Sequence, residues 1–326
     1  MIKNQWYVVL KSNEVKSNKP VGVIRFGEKL VFWRDSNGEV TCMFDRCPHL
    51  GAKLSMGKIN KDNITCPFHG FEYDQSGKCD HIPAFGNNGK IPRSLKVKTY
   101  PTYELNDFIW VYYGEDKSEE TQPPKFFSEI SNEFSYLSFC DHWKVHYSRM
   151  IENQLDMSHL PFVHHNTIGR GNKSVVDGPL VIQDGQQLNV WVHNREDNGT
   201  KRLSANELEI PDRHPSLQFH FPNIWHNWIA DDIRVMIAFV PVDEENTLLY
   251  GRFYQKVIKV PIIKSIMNIS GVIGSKVIAN QDKRVVEKQT PVKSSYISND
   301  MVMPSDHAIK VYRKVRKQLK EDAGQI

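Results

Sequence analysis

The feature that most limits how this chain can fold is a pair of ligand signatures set in order along it. The first is Cys47-Pro48-His49, then sixteen residues, then Cys66-Pro67-Phe68-His69. The second is Asn153-x2-Asp156-x2-His159-x4-His164, with an acidic candidate far downstream at Asp282. Two Cys and two His in the first arrangement suit a [2Fe–2S] cluster in which two His replace two Cys on one iron. A Cys2His2 set also satisfies tetrahedral zinc. The unequal spacing, one intervening residue and then two, and the β-rich surroundings favour the cluster. Two nearby His plus one carboxylate suit a mononuclear Fe(II) facial triad with open positions.

At 326 residues the chain is long enough for two cored domains, and its 40% hydrophobic content marks it as globular. The net charge of +4, from 42 basic and 38 acidic residues, is too mild to indicate a nucleic-acid partner. Five Cys in this length do not suggest a disulfide scaffold. With two of them claimed as ligands, Cys42, Cys79 and Cys140 read as free thiols, which favours a reducing compartment. Residues 1–6 lack a signal-peptide pattern. The most apolar segment, Pro261 to Asn280, carries Lys264 and Lys276 and reads as an amphipathic helix, not a membrane span. A soluble cytoplasmic protein is expected.

From Trp6 to about Gly114 short β-type runs alternate with turns, among them Asn37-Gly38 and Gln75-Ser76-Gly77-Lys78. A polar stretch from Glu115 to Gln122, closed by Pro123-Pro124, reads as a linker and divides the chain into residues 1–118 and 119–326. Beyond it a helical pattern covers 142–163, strands run from 180 to 254, and helices follow at about 261–289 and 305–320. The fold class is α+β: an all-β N-terminal domain followed by a sheet with helices on one side.

Both Cys/His pairs lie where loops leave strands, and Gly51 and Gly70 let backbone N–H groups approach the sulfurs. Residues five apart in an ideal helix are out of phase, so His159 and His164 share a metal only if Pro161 distorts the helix. Asn153, Asp156 and His159, spaced by three, are expected on one helical face. Asp156 is the expected partner of a liganding His, fixing its tautomer. His165 competes with His164 and reads as a rim residue. Asp282 falls on the inward side of its helix, where a carboxylate needs a partner or a metal, while Glu287 reads as solvated. The aromatic and amide-rich segment 219–228 either walls a substrate pocket or fills the core. Its candidates for contacting substrate are His220, Asn223, Trp225, His226 and Asn227. The basic segment 310–320 has an apolar edge at Val311, Val315 and Leu319. It reads as a solvated face over a packed stripe, with docking of an acidic reductase as the alternative.

Cys47-Pro-His49-Leu50-Gly51-Ala52-x-Leu54-Ser55-x-Gly57 and Cys66-Pro67-Phe68-His69-Gly70-Phe71-x-Tyr73 closely resemble the Rieske domain of ring-hydroxylating and demethylating oxygenases. Leu50 stands where many members have Arg, and Phe71 where many have Trp. The stretch Asp282 to Gln289 resembles the family's third-ligand helix, and the compact Asn-x2-Asp-x2-His-x4-His form resembles the vanillate O-demethylase and dicamba monooxygenase branch. The resemblance implies a helix-grip (START-like) catalytic domain with a curved antiparallel sheet. It implies Cys47, His49, Cys66 and His69 on a [2Fe–2S] cluster, and His159, His164 and Asp282 on mononuclear Fe(II), with Asn153 near the iron. It further implies head-to-tail homotrimers in which an electron passes from His69 of one subunit through Asp156 to His159 of its neighbour. No dinucleotide fingerprint is present, so electrons are expected from NAD(P)H through a separate reductase or ferredoxin. The expected reaction is O₂-dependent hydroxylation or O-/N-demethylation of a small aromatic or cyclic organic molecule. A ring cis-dihydroxylase, a Rieske electron-transfer protein without oxygenase activity and a zinc-binding interaction protein are the alternatives.

Overall fold

The computed structural model describes residues 1–86, 89–114, 122–296 and 300–326. It separates into two compact units that divide after Phe126. The expected boundary at residue 118, and most of the expected linker, lie outside the described residues.

The N-terminal unit is built from β1 (Gln5–Lys11), β2 (Val21–Arg25), β3 (Glu28–Arg34), β4 (Val40–Phe44), β5 (Lys58–Asn60), β6 (Asn63–Thr65), β7 (Glu72–Tyr73), β8 (Cys79–His81), β9 (Thr99–Tyr100), β10 (Thr102–Leu105) and β11 (Phe108–Tyr113). They form three antiparallel sheets, ordered β1-β11-β10, β2-β3-β4-β9 and β5-β6-β7-β8. Leu30 to Trp33 of β3 are buried on both faces, so this strand reads as a continuous apolar run. The β3–β4 hairpin turns at Asn37-Gly38, where Gly38 takes φ +85°. Asp35 holds the turn by accepting from the N–H groups of Asn37 and Glu39, at 2.9 and 2.8 Å. The β4–β5 and β6–β7 connections carry the two Cys/His pairs above a core of Val31, Trp33, Met43, Leu54, Ile64 and Tyr73.

The C-terminal unit comprises β12 (Ser135–Trp143), α1 (Tyr147–Leu155), α2 (Leu160–Val163), β13 (Val175–Asp184), β14 (Gln187–Arg195), β15 (Leu217–His220), β16 (Ile224–Ala230), β17 (Ile233–Pro241), β18 (Thr247–Gln255), α3 (Pro261–Val286) and α4 (His307–Asp322). One seven-stranded antiparallel sheet runs β12-β18-β17-β16-β15-β14-β13. Five successive antiparallel pairings carry β13 through β18, and β12 pairs with β18 at the far edge. Helix α3 packs on β12 and β18. Gly271 permits its close approach, because a Cβ there would stand 2.3 Å from the Phe253 ring.

Three expectations change. The helix expected over 142–163 is broken: His142 belongs to β12, α1 stops at Leu155 and α2 begins at Leu160. Asp156 caps α1 in extended conformation and accepts from the Ser158 N–H at 2.7 Å, a local bond that competes with the helical ladder. The C-terminal helix is a solvated basic face only in part, with Lys310 and Lys314 exposed. Its buried edge is Ala308, Tyr312 and Val315, and Arg313 and Arg316 are buried beside it. Helix α3 is amphipathic only in part. Its 18-residue window has mean hydropathy 1.4, long and apolar enough to cross a membrane by length and composition, yet only 17% of that window is buried.

Candidate iron centres

The two N-terminal ligand loops share one backbone design. Gly51 N–H donates to Cys47 O at 2.9 Å and Cys47 N–H to Ala52 O at 2.8 Å. In the same pattern Gly70 N–H donates to Cys66 O at 3.1 Å and Cys66 N–H to Phe71 O at 2.8 Å. Each loop closes on a glycine with positive φ, +78° at Gly51 and +71° at Gly70, a conformation that costs other residues about 1–2 kcal/mol. The result buries both Cys and exposes both His. The His49 and His69 rings stand 4.7 Å apart between centroids.

Phe71, which departs from the family's usual Trp, stacks on His49 at 4.7 Å and 6°. The Tyr73 hydroxyl lies 3.0 Å from Cys47 Sγ. Burial and the neighbouring Cys47 push its pKa up, so it stays protonated and donates to the sulfur when Cys47 is a thiolate. Burial also raises the Cys66 thiol, against hydrogen bonds from the backbone N–H groups of Phe68 and His69. Two sulfurs inside, two imidazoles outside and N–H groups aimed at sulfur fit a His-ligated [2Fe–2S] centre.

In the C-terminal unit, the α1–α2 break brings the second ligand set together. His159 and His164 are the residues capping the two ends of α2, whose Pro161 sits in its first turn. His164 Nε2 lies 2.9 Å and His159 Nε2 3.4 Å from Asp282 Oδ1. The two Nε2 atoms are 3.3 Å apart. Ligands at about 2.1 Å on adjacent octahedral positions lie about 3 Å from one another, so the three separations fit one ion. Asp282 Oδ1 is buried and makes no well-aligned hydrogen bond, although two imidazole nitrogens face it. An orphaned buried oxygen at the apex of two imidazoles fits a cation bound between them.

Around these atoms stand groups that set their orientation. Asp156 Oδ2 lies 3.4 Å from His159 Nδ1. His164 Nδ1 donates to Gln281 Oε1 at 2.7 Å, which leaves Nε2 free to ligate. Gln281 is held in turn by Thr167 Oγ1 at 2.9 Å and by its own donation to Asn166 Oδ1 at 2.9 Å. Gln154 donates to Asp282 Oδ2 at 3.2 Å. Lys283 pairs with Asp141 at 3.0 Å and Glu287 accepts from the Lys144 N–H at 2.7 Å, tying the end of α3 to the β12–α1 junction. Glu287, expected in solvent, therefore has a structural partner. His165 is exposed, with Nδ1 3.1 Å from Phe162 O, and does not line the cavity onto which the triad opens.

Two outcomes follow from this arrangement. Gln281→Met, which keeps the volume but removes the acceptor, lowers Fe(II) or Co(II) affinity by about 10–100-fold, and Gln281→Glu, which restores an acceptor, recovers it. Equal affinities in all three proteins, measured by metal titration, would refute the role. The second concerns pH. Burial opposes charge on His159, but the facing carboxylates of Asp156 and Asp282 outweigh it and hold its pKa at about 9. Burial likewise opposes charge on Asp282, but the two facing imidazoles of His159 and His164 hold it at about 2. The metal needs neutral imidazole, so binding at neutral pH expels a proton from His159. Apparent affinity then falls about tenfold per unit as pH drops below about 9. A pH-independent binding constant, or no proton release in calorimetry across buffers, would contradict this.

The triad opens onto a cavity of about 370 Å³ walled by β16 and α3, with Trp225, Asn227, Ile237, Ile278 and Ala279 in its lining. Asn153 also lines it, and its buried Nδ2 has no hydrogen-bond partner among the described residues. A larger groove of about 570 Å³ lies in the N-terminal unit around Asn37 and Glu104, with none of the ligand candidates in its lining. Strand alternation separates the five substrate candidates. Trp225 and Asn227 of β16 face the cavity. His226, between them, is fully buried on the other side, with Nδ1 3.3 Å from Gln218 Oε1, and burial lowers its pKa to about 3. Asn223 is fully buried and donates to Phe239 O at 3.1 Å. His220, at the end of β15, does not line the cavity. Gln281 and Gln154 escaped the sequence reading; the one available signal was the adjacency of Gln281 to Asp282.

Comparison with known proteins agrees with this division. Residues 5–101 match the Rieske [2Fe–2S] domain, and residues 143–322 match the vanillate O-demethylase oxygenase C-terminal domain. Aminopyrrolnitrin oxygenase of Pseudomonas fluorescens is 35% identical over 164 residues, covering 49% of this chain and 45% of that protein. Dicamba O-demethylase, oxygenase component, of Stenotrophomonas maltophilia is 28% identical over 186 residues, covering 57% and 54%. The matched stretches thus span about half the length of these relatives. Among solved structures, NdmA of Pseudomonas putida CBB5 superposes with TM-score 0.82 at 22% identity, over 99% of this chain and 92% of that one. Dicamba monooxygenase bound to dicamba gives 0.74 at 23% identity, over 99% of both. At such identities the superpositions establish the fold alone. With the second domain match extending over more than half of its length, the chain belongs to the Rieske non-heme iron oxygenases that carry the vanillate O-demethylase C-terminal domain.

Proposed function

We propose that this chain is the terminal oxygenase of a multicomponent system, receiving electrons from NAD(P)H through a separate reductase or ferredoxin. Its reaction is monooxygenation, by hydroxylation or O-/N-demethylation, of a small aromatic or cyclic molecule. The observation that carries the reading is the His159, His164 and Asp282 cluster opening onto an apolar cavity in a chain that also carries a Rieske domain. When bound, the mononuclear iron would supply O₂ activation. The chain's own residues do the rest. Asp156 and Gln281 present both Nε2 atoms to the metal, and the apolar wall excludes water. Asn227 and Asn153 offer the amide groups that orient a substrate. The quarter-exposed Asp156 side chain is the proposed bridge for electrons arriving from the Rieske domain of a neighbouring copy in a homotrimer. We place this activity in the cytoplasm.

The test is turnover of methylated and hydroxylatable aromatic substrates with ¹⁸O₂ and a surrogate reductase, preceded by an EPR spectrum after dithionite reduction. One labelled oxygen atom in the product, or labelled water with formaldehyde release, supports monooxygenation. Two labelled atoms in one product would favour the dihydroxylation suggested by the 28% identical 3-chlorobenzoate-3,4-dioxygenase oxygenase subunit of Comamonas testosteroni. A colourless, folded, EPR-silent protein would point to zinc and overturn the reading.

A further inference from the structure

Helix α3 presents two apolar faces. One, through Asn268, Val272, Ala279, Asp282 and Val286, is buried against the sheet and the metal-binding cluster. On the other side Ile262, Ile266, Ile269, Ile273 and Val277 recur at steps of four, three, four and four residues, which places them in one stripe. They are 46–76% exposed, and Val257, Val260 and Ile263 extend the patch at its start. An exposed helical face ordinarily carries charge, and an apolar surface of this extent marks an interaction site.

The charges on this segment have one sign. No Asp or Glu occurs from residue 256 to 281, and the one acid within α3, Asp282, points into the site. Lys259, Lys276 and Arg284 are exposed along the same segment. We propose that this face seats α3 flat on an anionic lipid surface, with the aliphatic stripe among the acyl chains and the cations among the headgroup phosphates. An in-plane helix needs this combination of an apolar face and basic flanks. The stripe, at 1.5 Å per residue, is about 22 Å long. The helix does not span the bilayer, because leaving the sheet would carry Asn268 and Asp282 into hydrocarbon. A two-fold contact with a second copy would set the same cations against one another, which disfavours that arrangement. A head-to-tail contact with a second copy is the outcome that the sedimentation arm of the test distinguishes.

The test is flotation of the full-length protein with vesicles of phosphatidylcholine alone or mixed with phosphatidylglycerol. The wild type is expected to float with the mixed vesicles and to be released by salt. Ile266→Ser/Ile269→Ser/Ile273→Ser should lower partitioning about tenfold or more. Lys259→Glu/Lys276→Glu should abolish the preference for phosphatidylglycerol. Co(II) bound at the His159, His164 and Asp282 cluster, unchanged in both variants, reports correct folding of the unit that carries α3. Failure of the wild type to float, or equal flotation of wild type and the lysine variant, would overturn the proposal. So would a wild type that ignores vesicles while the serine variant sediments as a smaller species, which would assign the face to a second copy.

Discussion

Asp282→Ala is expected to leave the cluster's visible absorption intact, to reduce bound iron to the amount the cluster holds, and to lower turnover by about 10³-fold or more. That scale follows when a metal supplying several kcal/mol of transition-state stabilisation is lost. The physical basis is the position of one oxygen. Asp282 Oδ1 is buried between His164 Nε2 at 2.9 Å and His159 Nε2 at 3.4 Å, and Gln154 occupies the other carboxylate oxygen. Removing it leaves two neutral donors in an enclosed site and no negative charge to offset a divalent cation. Asp282→Asn separates charge from shape, since it keeps the volume and one oxygen; it is expected to bind metal more weakly than wild type and more strongly than the Ala variant. Iron analysis beside the cluster absorption checks both. Full iron content in Asp282→Ala would remove this residue from the ligand set.

The largest expected loss of stability comes from Glu152→Ala, about 3–5 kcal/mol and a fall in Tm of roughly 10 °C. Glu152 accepts from Arg313 at 2.7 and 3.0 Å and from Arg149 at 3.2 Å, while Asp300 accepts from both arginines at 2.9 Å. All of these side chains except Asp300 are less than a tenth exposed. Truncating Glu152 therefore leaves two buried guanidinium groups with a single carboxylate. Removing both ends together, as Glu152→Leu/Arg313→Leu, is expected to cost less than Glu152→Ala, because a buried pair gains little over apolar packing while a broken one is costly. Thermal unfolding of the single and double variants decides it; a double variant no better than the single would count against the network. The consequence reaches the site, because α1 carries Glu152 beside Asn153 and ends at Asp156.

The two Cys/His pairs and the His159/His164 pair could be nominated from the chain alone, because such motifs are local. Asp282, more than a hundred residues on, was nominated from its place on a helix and from the family resemblance. Ligand chemistry is set by residue type, and loop geometry by nearby Pro and Gly. The β-rich first unit was equally legible from its alternating strands and its Asn37-Gly38 hairpin. Less legible was the path of the chain between Leu155 and Leu160. A spacing of three from Asn153 to His159 reads as one helical face, but the Asp156 side chain bonds the Ser158 N–H and ends the helix, so the geometry arises from a break. The basic composition of α4 suggested solvent, whereas Glu152 and Asp300, distant in sequence or on another element, draw Arg313 inside.

What the sequence by itself determined is the α+β class and the family, together with the order of two candidate metal-ligand sets, since these depend mostly on residue chemistry at short spacing. Only the tertiary structure decided that Trp225 and Asn227 face the cavity while His226 turns away, because that depends on the phase of β16 within a seven-stranded sheet. It alone placed Gln281 on His164 across more than a hundred residues. It alone left one apolar side of α3 in solvent, because apolar residues lie on more than one side of the helix and which side is covered depends on where the sheet lies.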